Sequence, residues 1–465
     1  MARRRPIIPL QSAFWILLVV LLGATLPSIP SASAQASQVL GDPNVLIVIT
    51  DDQPLSTLKV MPKTRRYFVE EGTRFKHAFP TNPRCCPARA TLMTGRYTHN
   101  NGVKSNDDVH ALDMRSTLQR YLQDAGYHTA LYGKFLNRWH EDPPHFDRWG
   151  VITGRYRYYD TVWNIDGEDE FVEGYWTDSL SEKSVGFLRG LETLQDDQPW
   201  LLYVSSPAPH SPYKVAPEYQ GTSVPRWRSD PAVLERNKRD KPSYVRRATA
   251  SPKQAEAVAR RQMRMLRSVD DLVGDVIRTL DELDEQNTIA FFVSDNGYLW
   301  GQHGLLDASL SKGNPYTRSV KVPMMMRWPE ELPGGRVDRR MVGFIDILPT
   351  ILGAIGIQPD PAYPPDGRSL LFDWTRPRIL NESWSSSDAP ASEPPDWASL
   401  RSKRYSYVEY RVGGRIVFRE YYDLRRDPFE LRNLLGDRDR SNDPQVGPLH
   451  RALARARRCG AESCP

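Results

Sequence analysis

Residues Asn44–Thr50 read Asn-Val-Leu-Ile-Val-Ile-Thr, an apolar run without polar alternation. Such a strand is buried on both faces, the situation of a strand in a parallel sheet covered by helices. Thr129–Tyr132, Trp200–Ser205, Thr288–Ser294 and Val322–Arg327 have the same character. Between Ser205 and Thr288 the periodicity changes. Val269, Leu272, Val273, Val276, Leu280 and Leu283 share one face at helical spacing. Buried strands alternating with amphipathic helices predict an α/β fold, a central mostly parallel sheet sandwiched by helices. The first strand runs into Asp51-Asp52, two carboxylates at the C-terminal edge where open α/β sheets place their ligands.

Near residue 376 the pattern changes. Ser386–Trp397 is rich in Ser, Pro and Asp and reads as a loop or linker. Tyr405–Tyr410, Arg415–Phe418 and Tyr421–Asp423 read as short strands around the hairpin signal Gly413-Gly414. A basic helix from about Pro448 to Arg458 follows. The expectation is a large domain over 35–375 and a smaller C-terminal α+β subdomain over 376–465, carrying a short antiparallel sheet. The length of 465 residues exceeds the about 250–300 that one hydrophobic core serves, in keeping with that division.

At the N-terminus Arg3, Arg4 and Arg5 precede an apolar run from Ala13 to Leu26, and Ala32-Ser33-Ala34 makes a small-residue cleavage site. Residues 1–34 are therefore expected to be a signal peptide that sends the protein out of the cytoplasm. The apolar run is shorter than the roughly 20 residues that span a bilayer, so no stable membrane anchor is expected. Loss of residues 1–34 removes three arginines and no acids, taking the formal charge from +5 to +2. A nearly neutral protein is not a general nucleic-acid binder. One local exception is the stretch from Arg226 to Arg264, with twelve Lys/Arg against four Asp/Glu. It reads as a solvated surface, or as a region that helps hold an anionic substrate.

The chain has four cysteines. Cys459 and Cys464 are close enough to close a small disulfide loop. Cys85 and Cys86 remain, adjacent to each other. A vicinal disulfide or a structural bridge is one reading of that pair, and chemistry at one thiol is the other.

Cys85-Cys86-Pro87-Ala88-Arg89, followed by Leu92-Met93-Thr94-Gly95-Arg96, resembles the Cys-x-Pro-x-Arg signature of type I, formylglycine-dependent sulfatases of the alkaline phosphatase superfamily. Cys85 has Pro at +2 and Arg at +4; Cys86 does not. Four more motifs match that family in order: Thr50-Asp51-Asp52-Gln53; Gly126-Tyr127-His128-Thr129 leading to Gly133-Lys134; Ala208-Pro209-His210-Ser211-Pro212; and Ser294-Asp295-Asn296-Gly297 with Gly301-Gln302-His303-Gly304 and Lys312 behind it. Tyr422-Asp423-Leu424, Asp427-Pro428 and Asn433-Leu434 look like the family's closing segment.

The resemblance implies a mechanism. A generating enzyme oxidises Cys85 to formylglycine, and one hydroxyl of the hydrated aldehyde attacks sulfur. Asp51, Asp52, Asp295 and Asn296 would bind a hard divalent ion, Ca²⁺ in preference to Mg²⁺, with the modified Cys85 as a further ligand. Arg89 would steady the formylglycine hydrate, and Lys134 and Lys312 would clamp sulfate oxygens. His210 would contact the sulfate or protonate the leaving oxygen.

Many sulfatases carry histidine two positions after the Gly-Lys lysine, where this chain has Leu136. Lys134-Phe135-Leu136-Asn137 and the doubled cysteine are instead similar to the N-acetylglucosamine-6-sulfatase and heparan-sulfatase branch. Asn137 and His303 are then expected to contact the substrate. Thr317-Arg318 stands where relatives often place acids, which makes Arg318 a rival to Lys312 as the sulfate cation. The substrate class implied is a sulfate monoester of a sugar, another glycan or an aryl alcohol. The rival readings are a phosphonate or phosphate monoester hydrolase of the same superfamily, and a non-catalytic binder of sulfated glycans in which Cys85 stays a thiol.

Overall fold

The computed structural model describes residues 41–152, 157–194, 196–307, 309–385 and 393–465. The expected signal peptide, 1–34, and the first part of the expected linker, 386–392, lie outside the described residues.

Ten strands form the main sheet: β1 (Asn44–Thr50), β2 (Thr73–Phe79), β3 (His128–Gly133), β4 (Arg148–Ile152), β5 (Tyr159–Ile165), β6 (Glu168–Tyr175), β7 (Trp200–Ser205), β8 (Thr288–Ser294), β9 (Met324–Arg327) and β10 (Arg336–Gly343). Their order across the sheet is β10-β2-β9-β8-β1-β7-β3-β4-β5-β6. The centre, β8-β1-β7-β3-β4, is parallel. The helices of eight or more residues are α1 (Cys85–Thr94), α2 (Trp176–Leu191), α3 (Pro252–Glu282), α4 (Ile347–Ala354) and α5 (Val446–Ala456).

The unbroken apolar run of β1 is explained by its two packed faces. Successive side chains of a strand point to opposite sides. Val45, Ile47 and Ile49 join a core with Ala88, Ala90 and Leu92 of α1 and Ile347, Leu348 and Ile351 of α4. Leu46 and Val48 join a second core with Val269, Leu272, Val273, Val276 and Leu280 of α3. Leu283, expected on the same stripe, lies one residue past the end of α3 and packs on that core partly buried. Ser251 caps α3 by accepting from the Gln254 N–H, with Pro252 at the first helical position.

The expected run Val322–Arg327 begins as a strand only at Met324, and it is antiparallel to both β8 and β2. Burial reports an apolar environment, which antiparallel and parallel neighbours supply equally.

A second sheet holds β11 (Ile379–Ser383), β12 (Asp396–Arg401), β13 (Tyr405–Val412) and β14 (Arg415–Asp423), in that order and all antiparallel. Gly413 and Gly414 turn the hairpin with φ of 54° and 76°, the left-handed backbone that glycine adopts without cost. Two expectations need correction. Asp396 and Trp397, assigned to the linker, begin β12. The break expected between Phe418 and Tyr421 does not occur, because Glu420 points inward and accepts hydrogen bonds from the hydroxyls of Tyr316, Tyr410 and Tyr422. A charged residue in a strand looks like an interruption until its partners are known. The basic helix appears as α5, and Cys459 and Cys464 form the small disulfide loop.

Candidate active site

The parallel register brings four strand ends to one edge. Thr50 pairs with Ser294, Ile49 with Ser205, and Gly133 with Ser205. Asp51, Lys134 and Asp295 are the next residues of β1, β3 and β8, so three separated motifs leave the sheet together. α1 presents its first residue, Cys85, to the same edge, and all ten of its residues are buried.

Ligand atoms of Asp51, Asp52, Cys85 and Asp295 lie within 4.8 Å of one another, all in buried side chains. Cys85 Sγ is 3.4 Å from Asp51 Oδ1 and 3.7 Å from Asn296 Oδ1. The Asn296 amide donates to Asp52 Oδ1 at 2.6 Å, and the Asp52 N–H donates to Asp295 Oδ1 at 3.2 Å. Asp52 reaches this position with a φ of 67°, a region that Asp tolerates better than most side chains. Cys86 faces away: its Sγ accepts from the Asn137 N–H at 3.1 Å. The two thiols are therefore not bridged to each other.

Three cations close over the acids. Lys134 Nζ pairs with Asp51 Oδ2. Lys312 Nζ lies 2.7 Å from Asp52 Oδ1 and 3.2 Å from Cys85 Sγ. Arg89 donates from Nε and Nη2 to Asp295 Oδ2 at 3.0 and 2.9 Å. Its Nη1 donates to the Lys134 carbonyl at 3.0 Å and to Ser205 Oγ at 2.5 Å. His210 Nε2 stands 3.7 Å from Asp52 Oδ2. Its Nδ1 is 2.5 Å from the Ser211 carbonyl, an oxygen that only accepts, so Nδ1 carries a proton.

Burial opposes ionisation of Asp51, but Lys134, His210, Lys312 and Arg89 together hold its pKa far below the usual carboxylate range. Asp295 moves the other way, raised by burial and then by Asp51. Burial also pushes the Cys86 thiol up to about 11, and it raises Cys85 with help from Asp51. Burial opposes the charge of Lys312, yet Asp52 and Cys85 raise its pKa overall.

The structure thus brings Asp51, Asp52, Cys85, Arg89, Lys134, His210, Asp295, Asn296 and Lys312 together. Arg318 stays outside, 3.3 Å from Asp230. The backbone N–H of Asn137 is held by Cys86 Sγ. His303 Nδ1 lies 2.6 Å from Glu235 and its ring 4.3 Å from that of Tyr316. Ser205 was not foreseen. It ends a buried strand, and nothing in its sequence neighbourhood marks it as a partner of Arg89.

Two expected results follow from these contacts. Gly133 has a φ of 108°, and a Cβ there would run into the Ser205 carbonyl oxygen, which also accepts from the Lys134 N–H at 2.9 Å. Gly133→Ala should therefore cost about 2–3 kcal/mol and displace Lys134 from Asp51. An unchanged thermal unfolding midpoint would refute this. Lys312→Ala should lower turnover of a sulfate ester by roughly a hundredfold or more, the scale of losing one preorganised electrostatic donor. Steady-state kinetics beside Arg318→Ala will decide between the two cations, and a larger loss from the arginine variant would reverse the assignment.

The chain matches the family described as Sulfatase over residues 43–357. It belongs to the sulfatase family. A second match, described as N-sulphoglucosamine sulphohydrolase, C-terminal, covers residues 301–458. The extracellular sulfatase SULF-1 homolog of Drosophila melanogaster is 32% identical over 368 residues, 74% of this chain. The chain spans about a third, 32%, of the length of that relative. Human N-acetylglucosamine-6-sulfatase is 27% identical over 485 residues, covering 91% of this chain and 86% of that protein. The resemblance to this sulfatase branch therefore holds over nearly the whole chain. A protein solved in complex with its substrate D-glucosamine-2-N,6-O-disulfate has a TM-score of 0.78 at 21% identity, covering 89% of this chain and 97% of that one. At that identity the likeness is one of fold, and the sulfatase fold is the one described above.

Proposed function

We propose that this chain is an exported sulfatase that hydrolyses a sulfate monoester of a sugar, with Cys85 matured to formylglycine and a calcium ion held by Asp51, Asp52, Asp295 and Asn296. The observation that carries the reading is the convergence of Asp51, Asp52 and Asp295 with Cys85 within 4.8 Å, beside Asn296 and under Lys134 and Lys312.

The donor set fits a hard ion. Carboxylate and amide oxygens surround the site, with no histidine and no second thiol among the clustered ligands, which suits Ca²⁺ or Mg²⁺ better than zinc. Charge balance supports the same choice. Asp51, Asp52 and Asp295 are matched by Lys134, Lys312 and Arg89, so the side chains alone are neutral. A divalent cation would make the site positive, the field an anionic ester needs. An ion held there would neutralise a sulfate oxygen, and a formylglycine matured from Cys85 would supply the attacking hydroxyl.

The remaining work falls to the side chains. Lys134 and Lys312 bracket Cys85 and hold the sulfate oxygens against it. Arg89 is fully buried and engaged by Asp295, Ser205 and the Lys134 carbonyl, so it positions the acids and the lysine rather than meeting substrate. His210, with Nδ1–H bonded to the Ser211 carbonyl, turns Nε2 toward the cluster, where a proton for the leaving alcohol is needed.

A sugar substrate is supported by the human relative's name and by the disulfated glucosamine in the similar solved structure. Export is supported by the Arg3–Arg5, Ala13–Leu26 and Ala32-Ser33-Ala34 pattern and by the extracellular relative. Among the described residues no helix is long and apolar enough to cross a membrane. We place the catalytic domain at 35–375 and the C-terminal subdomain at 376–465.

The test is coexpression with a formylglycine-generating enzyme, peptide mass spectrometry at residue 85, and hydrolysis of glucosamine 6-sulfate beside an aryl sulfate and a phosphonate ester. Conversion of Cys85 and preference for a sulfate ester are expected. An active protein with an unmodified Cys85, or one preferring the phosphonate, would defeat the proposal.

A further inference from the structure

The basic stretch from Arg226 to Arg264 divides into two parts in the structure. Lys241 is buried between Glu235 and Asp240, at 3.4 and 3.2 Å, and Arg264 donates to the Thr222 carbonyl. Those residues hold the loop together. Arg226, Trp227 and Arg228 instead line a cleft of about 250 Å³ that also takes in Lys59 and Arg318.

The cleft opens where the two acidic loops leave the active site. Pro54 follows Asp51-Asp52-Gln53, Tyr298 follows Asp295-Asn296-Gly297, and both form its wall. Tyr298 Oη also lies 2.5 Å from the hydroxyl of Tyr213, which belongs to the His210 loop. The cleft thus shares its wall with the two loops that carry the acids.

Its lining is unbalanced in charge. Four cations face one carboxylate, Asp230, which already accepts from Gln302 Nε2 at 3.0 Å and from Arg318 at 3.3 Å. Arg226 approaches Glu256 only to 3.8 Å, with its side chain 87% exposed. Neither Lys59 nor Arg228 forms an ion pair with any described residue, and both are exposed. Unpaired cations around a concave surface raise the local concentration of anions. The cleft also has an aromatic wall. Trp300 is buried, its indole N–H donating to Gln262 at 2.5 Å, and half-buried Trp227 stands edge-on to it with ring centroids 6.2 Å apart. Cations beside an aromatic face match a ring that is apolar on one side and carries a charged group.

We infer that this cleft is a specificity subsite for a second anionic substituent, a sulfate or a carboxylate, carried by the sugar whose ester lies at Cys85 or by the sugar next to it. Lys59 and Arg228 hold that substituent, and Trp227 meets the ring. The inference rests on the sulfatase reading for the first anion, so its test is one of binding and not of turnover.

The full-length chain carrying Cys85→Ala is titrated by calorimetry with glucosamine 6-sulfate, with glucosamine 2-N,6-O-disulfate and with a uronate-linked disaccharide bearing one 6-sulfate. At least one of the doubly charged ligands should bind about tenfold more tightly than the monosulfate, the scale of one or two charge-assisted contacts. Whichever gains tells sulfate from carboxylate. Adding Lys59→Ala and Arg228→Ala should erase the advantage. Both side chains are exposed and unpaired, so the fold is not at stake. No advantage for either doubly charged ligand, or an advantage that survives the double substitution, overturns the inference. Hydrolysis of a simple aryl sulfate by the matured parent protein reports separately on the sulfatase reading.

Discussion

Cys85→Ala is expected to abolish hydrolysis of sulfate esters, with a loss of roughly 10⁴-fold or more, whereas Cys86→Ala should keep most of the activity. The scale is that of removing a nucleophile from a site whose other groups act only in concert with it. The geometry separates two chemically identical neighbours. Cys85 Sγ faces Asp51, Asn296 and Lys312, while Cys86 Sγ accepts from the Asn137 N–H on the other side of the helix start. Both thiols are buried, so accessibility does not distinguish them. Kinetics of the two variants, each matured under the same conditions, will check this. A dead Cys86→Ala protein that retains its fold beside an active Cys85→Ala protein would place the reactive carbon at the wrong residue.

Arg89→Ala is expected to cost about 3–5 kcal/mol of folding stability, the range for breaking a buried ion pair from one side. Arg89 makes four hydrogen bonds, two to Asp295 and one each to Ser205 and the Lys134 carbonyl. Its removal leaves Asp295, whose proton affinity is already raised by burial and by Asp51, without its main opposing charge. Arg89→Lys should recover only part of the loss, because one ammonium cannot reach the three partners that a guanidinium fork spans. Denaturant unfolding followed by circular dichroism provides the measurement. A midpoint for Arg89→Ala equal to that of the parent protein would show that the acids are held by their other partners.

Much of the architecture was legible before any coordinates. β1, β7 and β8 have the bounds their apolar runs implied, because a strand buried on both faces cannot alternate with polar residues. The site residues were named on the resemblance of their motifs to the sulfatase family. Of them only Asp51-Asp52 was also marked by the apolar runs, as carboxylates at the C-terminal edge of β1. β5 and β6 were not readable: Glu168–Tyr175 is largely exposed, and its residues carry no burial signal.

What tertiary structure alone decided is who meets whom. Asp52 and Asp295 touch although 243 residues separate them, because β1 and β8 are neighbours in register, and periodicity within either strand says nothing about its neighbour. The same holds for the antiparallel direction of β9, for the inward turn of Glu420 onto three tyrosine hydroxyls, and for Ser205 beneath Arg89. Arg318, six positions on, stood as a rival to Lys312, and it is the fold that sets the Lys312 ammonium on Asp52 and the Arg318 guanidinium beside Asp230. Local sequence sets which side chains leave the water. The choice of partner depends on contacts between distant segments, and those exist only once the sheet has closed.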